Sequence, residues 1–121
     1  MRTIQRRIFG TVPLLLAANF AFAATSLSVP SDPNASYEVL SVKRAPSSGQ
    51  VFITTQRTGP SGISFAKRLV NCPNQTFRYV GDADTLKELK TQNLNGKMGE
   101  LVEGSISWYA AQYACSHTLK K

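Results

Sequence analysis

From Tyr37 to Val80 the apolar residues fall in short runs with two-residue spacing, and after Gly81 the spacing turns helical. Four runs rich in β-branched and aromatic residues read as strands: Tyr37–Val42, Gln50–Thr55, Ile63–Val70 and Thr76–Val80. Between them lie Ala45-Pro-Ser-Ser-Gly49, Thr58-Gly-Pro-Ser-Gly62 and Asn74-Gln75, whose residue types mark turns. In the third run Ile63, Phe65 and Leu69 share one parity, interrupted by Lys67. Ser64, Ala66, Arg68 and Val70 share the other, which Cys72 continues until Pro73 stops regular pairing. Short strands joined by tight turns predict an antiparallel meander.

Thr85-Leu-Lys-Glu88 has the form of a capping box, and Leu86 and Leu89 follow at helical spacing, which predicts a helix over 85–92. Asn93-Leu-Asn-Gly96 ends it. Residues 97–104 read as a Gly-punctuated connector with one helical turn around Glu100 to Glu103. A last helix starts after Gly104 with Ser105 as its N-cap. At about 100° per residue, Trp108, Ala111, Cys115 and Leu119 gather on one side and Ile106, Tyr109 and Tyr113 on the other. The first side is expected on the sheet. The second is either covered by strands or leader, or left as an aromatic patch for a partner. The predicted fold class is α+β: a small antiparallel β-meander of about four strands packed against a C-terminal helix, in a single domain over 36–121.

The N-terminus is organised differently. Arg2, Arg6 and Arg7 precede an apolar stretch, interrupted by Pro13 and Asn19, that ends in Ala21-Phe-Ala-Ala24. Small residues at the −3 and −1 positions of a cut after Ala23 make residues 1–23 a signal peptide, too short and broken for a membrane span. Arg6-Arg7 partly matches a twin-arginine signal, but no cofactor motif requires folded export. No cysteine at the cut offers a lipid anchor. Residues 24–35, rich in Thr, Ser, Pro and Asn, read as a flexible leader. These features place the chain in the periplasm, or secreted and at the cell surface.

Export changes how charge and cysteine are read. The whole chain carries +7, but from residue 24 onward eleven Lys and Arg face seven Asp and Glu, leaving +4. That excess favours anionic partners such as lipid, lipopolysaccharide or an acidic protein surface, and export disfavours nucleic acid. Cys72 and Cys115 are the only cysteines, so an oxidising compartment implies one disulfide between them. Closing a loop of about 44 residues is worth roughly 4 kcal/mol in the chain-entropy model.

Candidate chemistry is thin. His117 is the only histidine, and one residue makes neither a metal site nor a general base with partners. Asp82 and Asp84 sit where a helix begins and read as turn chemistry. No Gly-x-Ser-x-Gly, phosphate loop or Cys-x-x-Cys occurs. No enzymatic role, metal or cofactor is expected. Two sets of residues remain as partner-binding candidates: Ile106, Tyr109 and Tyr113 on the last helix, and Arg57, Lys67, Arg68 and Arg78 on the strands, if their register brings them together.

The segment Lys67-Arg-Leu-Val-Asn-Cys72 through Phe77-Arg-Tyr79, then Gly104-Ser-Ile-Ser107 and a helix ending in Ala114-Cys115, resembles the surface-adhesin protein E family. Members are small exported bacterial proteins whose antiparallel strands pack on a C-terminal helix, with one cysteine in a strand and one in that helix. The resemblance covers about half of the chain beyond the signal and implies adhesion to host extracellular proteins, or a soluble periplasmic role without a lipid anchor. The sequence thus predicts a non-enzymatic binding module of the bacterial envelope, adhesin-like, touching a protein or an envelope component. The alternative is a periplasmic inhibitor or immunity protein against a hydrolase or toxin. A small hydrolase built on His117 is the third and weakest reading.

Overall fold

A computed structural model describes residues 24–118. The expected signal peptide over residues 1–23 and its cleavage point, Leu119, and the terminal lysines lie outside the described residues. Six strands form one antiparallel sheet in chain order: β1 (Thr25–Leu27), β2 (Ser36–Arg44), β3 (Gln50–Gly59), β4 (Gly62–Asn71), β5 (Thr76–Ala83) and β6 (Gly99–Glu100). Helix α1 (Leu86–Lys90) follows β5, and α2 (Ile106–Thr118) closes the described chain. The meander, the C-terminal helix and the disulfide are as the sequence predicts. The strand count is six rather than four.

Both extra strands lie at the edges. β1 falls in the stretch expected to be a flexible leader, where Leu27 pairs with Tyr37 and Thr25 with Val39. Val29 beyond it is buried, and the turn that follows is closed by Asp32 N–H to Val29 C=O at 3.0 Å. Thr25-Ser-Leu-Ser-Val29 alternates polar and apolar, but the Pro and Asn residues next to it hide so short a strand. β6 occupies part of the connector where a helical turn was expected. Gly99 pairs with Phe77 and Glu100 with Thr76, and Leu101 N–H donates to Gln75 C=O at 3.0 Å.

Two irregularities set which side chains face α2. Between Val39 and Ser41 the β2–β3 register shifts, so Leu40 is an extra residue and the inward parity passes from Tyr37 and Val39 to Val42. Between β4 and β5 the shift leaves Val80 unpaired, separating Tyr79 from Asp82. Four rungs then cross the α2 face. The first is Arg44, Val51, Val70 and Phe77, and the second is Val42, Ile53, Arg68 and Tyr79. The third is Val39, Thr55, Ala66 and Asp82, and the fourth is Tyr37, Arg57 and Ser64. The face is apolar at the Cys72 end and polar at the Gly59 end.

The core gathers at the apolar end, where Val39, Val51, Ile53, Val70 and Cys72 meet Ala110, Ala111 and Ala114. Burial of Val51, Ile53 and Val70 contributes about 1.5–3 kcal/mol each. Of the expected docking side, Ala111 is buried and Cys115 packs against the core, but Trp108 does not, and Ser107, Ala110 and Ala114 complete the buried stripe. Small side chains let the helix backbone approach the sheet closely, and the larger Trp108 is left at one flank. Gly104, at φ +88°, turns the chain into the helix, and Ser105 Oγ accepts from Trp108 N–H at 3.1 Å. Cys72 and Cys115 are bonded, with Cα atoms 5.8 Å apart, which pins the helix to the end of β4.

Helix α1 packs on the opposite face, over β4 and β5. Thr85 caps it by accepting from Glu88 N–H at 3.1 Å. Its one buried residue, Leu89, lies against Gly81, where a Cβ would stand 2.8 Å from Leu89 Cδ1. A Cβ at Gly81 would force the Leu89 side chain to shift from its buried position.

Candidate binding site

Because α2 begins only at Ile106, it leaves the polar end of its sheet face uncovered. A cavity of about 160 Å³ remains there, bounded by Tyr37, Arg57 and Ser64 of the fourth rung, Thr55, Ala66 and Asp82 of the third, Arg68 and Tyr79 of the second, and Ile106 at the start of the helix. The fold makes this cavity by running hydroxyls, guanidiniums and an aspartate along an inward parity that is Val and Ile farther on.

Arg68 forms its inner wall. The residue is 4 % exposed. Its Nε donates to Ser107 Oγ at 2.9 Å, Nη1 to Thr55 Oγ1 at 3.1 Å, and Nη2 reaches Tyr79 OH at 3.5 Å. The guanidinium also lies over the Tyr79 ring, 5.0 Å from its centroid. All three partners are neutral. Among the described residues no carboxylate lies within ion-pair distance of Arg68; the one ion pair there is Arg57 with Asp32.

That ion pair stands at the outer edge. Arg57 Nε donates to Asp32 Oδ2 at 2.9 Å and to Tyr37 OH at 3.1 Å, while Tyr37 OH donates to the same Oδ2 at 2.7 Å. The hydrogen bond from Arg57, and then that from Tyr37, holds the Asp32 carboxyl below its ordinary range. Burial, then the bond to Asp32, pushes the Tyr37 phenol up. Asp32 belongs to the stretch read as leader, so the N-terminal segment contributes to the site. Asp82, exposed, adds a second carboxylate at the rim.

The residues predicted as partner-binding separate. Arg57, Arg68 and Ile106 line one cavity. Lys67 and Arg78 have the other parity and face the α1 side: Lys67 Nζ sits 4.7 Å over the Phe52 ring, and Arg78 Nη1 donates to Leu94 C=O at 2.6 Å. The four basic residues therefore do not form one patch. Tyr109 is half-buried, edge-on to Trp108 at 5.0 Å, while Tyr113 packs at the rim of the core and stacks on His117 at 3.8 Å. The two tyrosines stay partly accessible but apart from the cavity. His117 Nδ1 is within hydrogen-bond distance of Tyr113 C=O and Ser116 Oγ, and the described residues hold no metal-ligating cluster.

Sequence reasoning missed Tyr37, Thr55, Ser64, Tyr79, Ser107 and Asp32 as parts of the site. The readable signal is the polar turn taken by one parity: Thr55 and Arg57 on one strand, Ser64 and Arg68 on the next. Hydroxyls at inward positions mark a face that is not filled by helix.

No protein-family model, curated protein or solved structure matches this chain. The geometry itself shows a disulfide-pinned sheet with one polar cavity at a helix start. Among the described residues no helix is long and apolar enough to cross a membrane.

Proposed function

We propose that this chain is an exported, non-enzymatic binding module of the bacterial envelope, and that its contact with a protein or envelope component is made at the cavity between Arg57, Arg68 and Ile106. One observation carries the reading: Arg68 is a buried cation that faces an open cavity with only neutral partners. Taking a charge out of water costs several kcal/mol unless an opposite charge compensates it, so such a group is a reason to look for a partner. The disulfide suits an oxidising compartment, and the signal-like N-terminus suggests how the chain reaches it. The resemblance to the protein E family points the same way and remains part of this proposal.

The test is site-specific photo-crosslinking in envelope extract, with the crosslinker placed at Ser64 on the cavity or at Lys87 on α1. We expect one defined component to crosslink from position 64 and not from 87, and to be lost in Arg68→Lys. Crosslinks from position 87 alone, or none from either, would refute the reading. A host matrix protein as the captured component means adhesion, and a hydrolase or toxin means inhibition.

A further inference from the structure

We infer that the cavity is a carboxylate-binding pocket in which Arg68 supplies the charge and part of the hydrogen bonding. The inference rests on the proposed binding role and names the chemical group that the pocket takes.

A guanidinium carries five N–H donors. In Arg68 each nitrogen is turned to one neutral oxygen, with Nη2 at the long limit of 3.5 Å. One proton on each Nη is thus left over. Two parallel N–H donors match the two oxygens of a carboxylate, which is the pairing for which arginine is better suited than lysine. Thr55 accepts from Arg68 through oxygen, so its hydroxyl proton is left to donate, while the Ser107 hydroxyl also lies 3.5 Å from Tyr79 OH, a pair in which either oxygen can donate.

The surrounding electrostatics also lack a negative charge at this point. Ser107 is in the first turn of the 13-residue α2, so Arg68 lies at the positive end of that helix. Cation and helix end reinforce one another, and neither is neutralised. Arg57 is already matched by Asp32. Asp82 is the only other carboxylate at the cavity and is exposed to water, which screens it. It would repel an incoming anion, and that makes it informative.

Size narrows the ligand. The cavity offers about 160 Å³ beside Arg68 and opens to solvent. It accepts a carboxylate with a short stem lying along Tyr79 and Ile106. The same group occurs on an acidic protein side chain and on a free small acid.

The test is an amide NMR titration of the folded chain with sodium acetate against sodium chloride at equal ionic strength, then with a blocked Gly-Glu-Gly peptide and its Gln counterpart. Acetate should shift the Thr55, Ala66 and Ser107 amides and the Arg68 Nε resonance, and saturate. A bidentate pair reduced to a point charge in Arg68→Lys should weaken binding about tenfold. Asp82→Asn, a change at an exposed position, should tighten it about threefold by removing a like charge. The Glu peptide binding more tightly than acetate, with no binding of the Gln peptide, assigns the group to a protein side chain. Acetate as the tighter ligand assigns it to a free acid. Shifts that persist unchanged in Arg68→Lys, phosphate binding more tightly than acetate, or weaker binding in Asp82→Asn would each overturn the pocket. Acetate binding retained while envelope crosslinking fails leaves the pocket standing and removes the envelope partner.

Discussion

Asp32 shows best how a residue read as loop becomes part of the site. Its carboxylate accepts from both Arg57 and Tyr37, which fixes the guanidinium at the cavity edge and ties the N-terminal segment to β2 and β3. Because these bonds lower its folded-state pKa, the stabilisation is present above the ordinary carboxylate value, about 4, and is lost as pH falls through the lowered folded value. Asp32→Asn should therefore melt below wild type at pH 7, with the gap narrowing as the pH falls below about 4. A gap that stays constant across that range would show that the charge on Asp32 does no work. Residue type was readable in the sequence here, but partnership was not. Arg57 and Arg68 look alike as strand cations, yet one is paired and half-buried, and the other is buried among hydroxyls.

At the scale of elements, the central hairpins were readable because each turn carries Gly or Pro between β-branched runs. The bulges were not, because nothing in Leu40 or Val80 announces an unpaired residue. The docking side of α2 was read only in part for a related reason: Ala111 and Cys115 were placed on it, but weighting large apolar residues overlooked Ser107, Ala110 and Ala114, whose value is close approach rather than area. Gly81 follows the same logic on the other face, where α1 rests on the bare backbone. Gly81→Ala should cost about 1–3 kcal/mol by overpacking against Leu89, read as a lower urea midpoint. Its acetate affinity should be unchanged, since the cavity opens on the α2 side. Unaltered stability would mean that α1 is not seated on β5 as described.

Across the whole molecule, the disulfide and the small-residue helix face act at one end of the sheet, and the cavity is left at the other. This division is what allows a small domain to keep polar groups inside. The Cys72–Cys115 bond contributes an expected 2–4 kcal/mol by restricting the unfolded chain, so the core can be short and the remaining face used for binding. The pairing of the two cysteines was readable from their number alone. The cavity was not, because it depends on where α2 starts relative to a bulged register. On the proposed reading, Arg68 awaits an anion rather than holding the fold together. The direct measurement is chemical denaturation of wild type and Arg68→Met, each with and without acetate at ten times its dissociation constant. Without acetate the two should agree within about 1 kcal/mol, because an uncompensated buried cation adds little to stability. With acetate, wild type alone should gain about 1.4 kcal/mol. A variant several kcal/mol less stable without ligand, together with no acetate-dependent gain in wild type, would contradict the account.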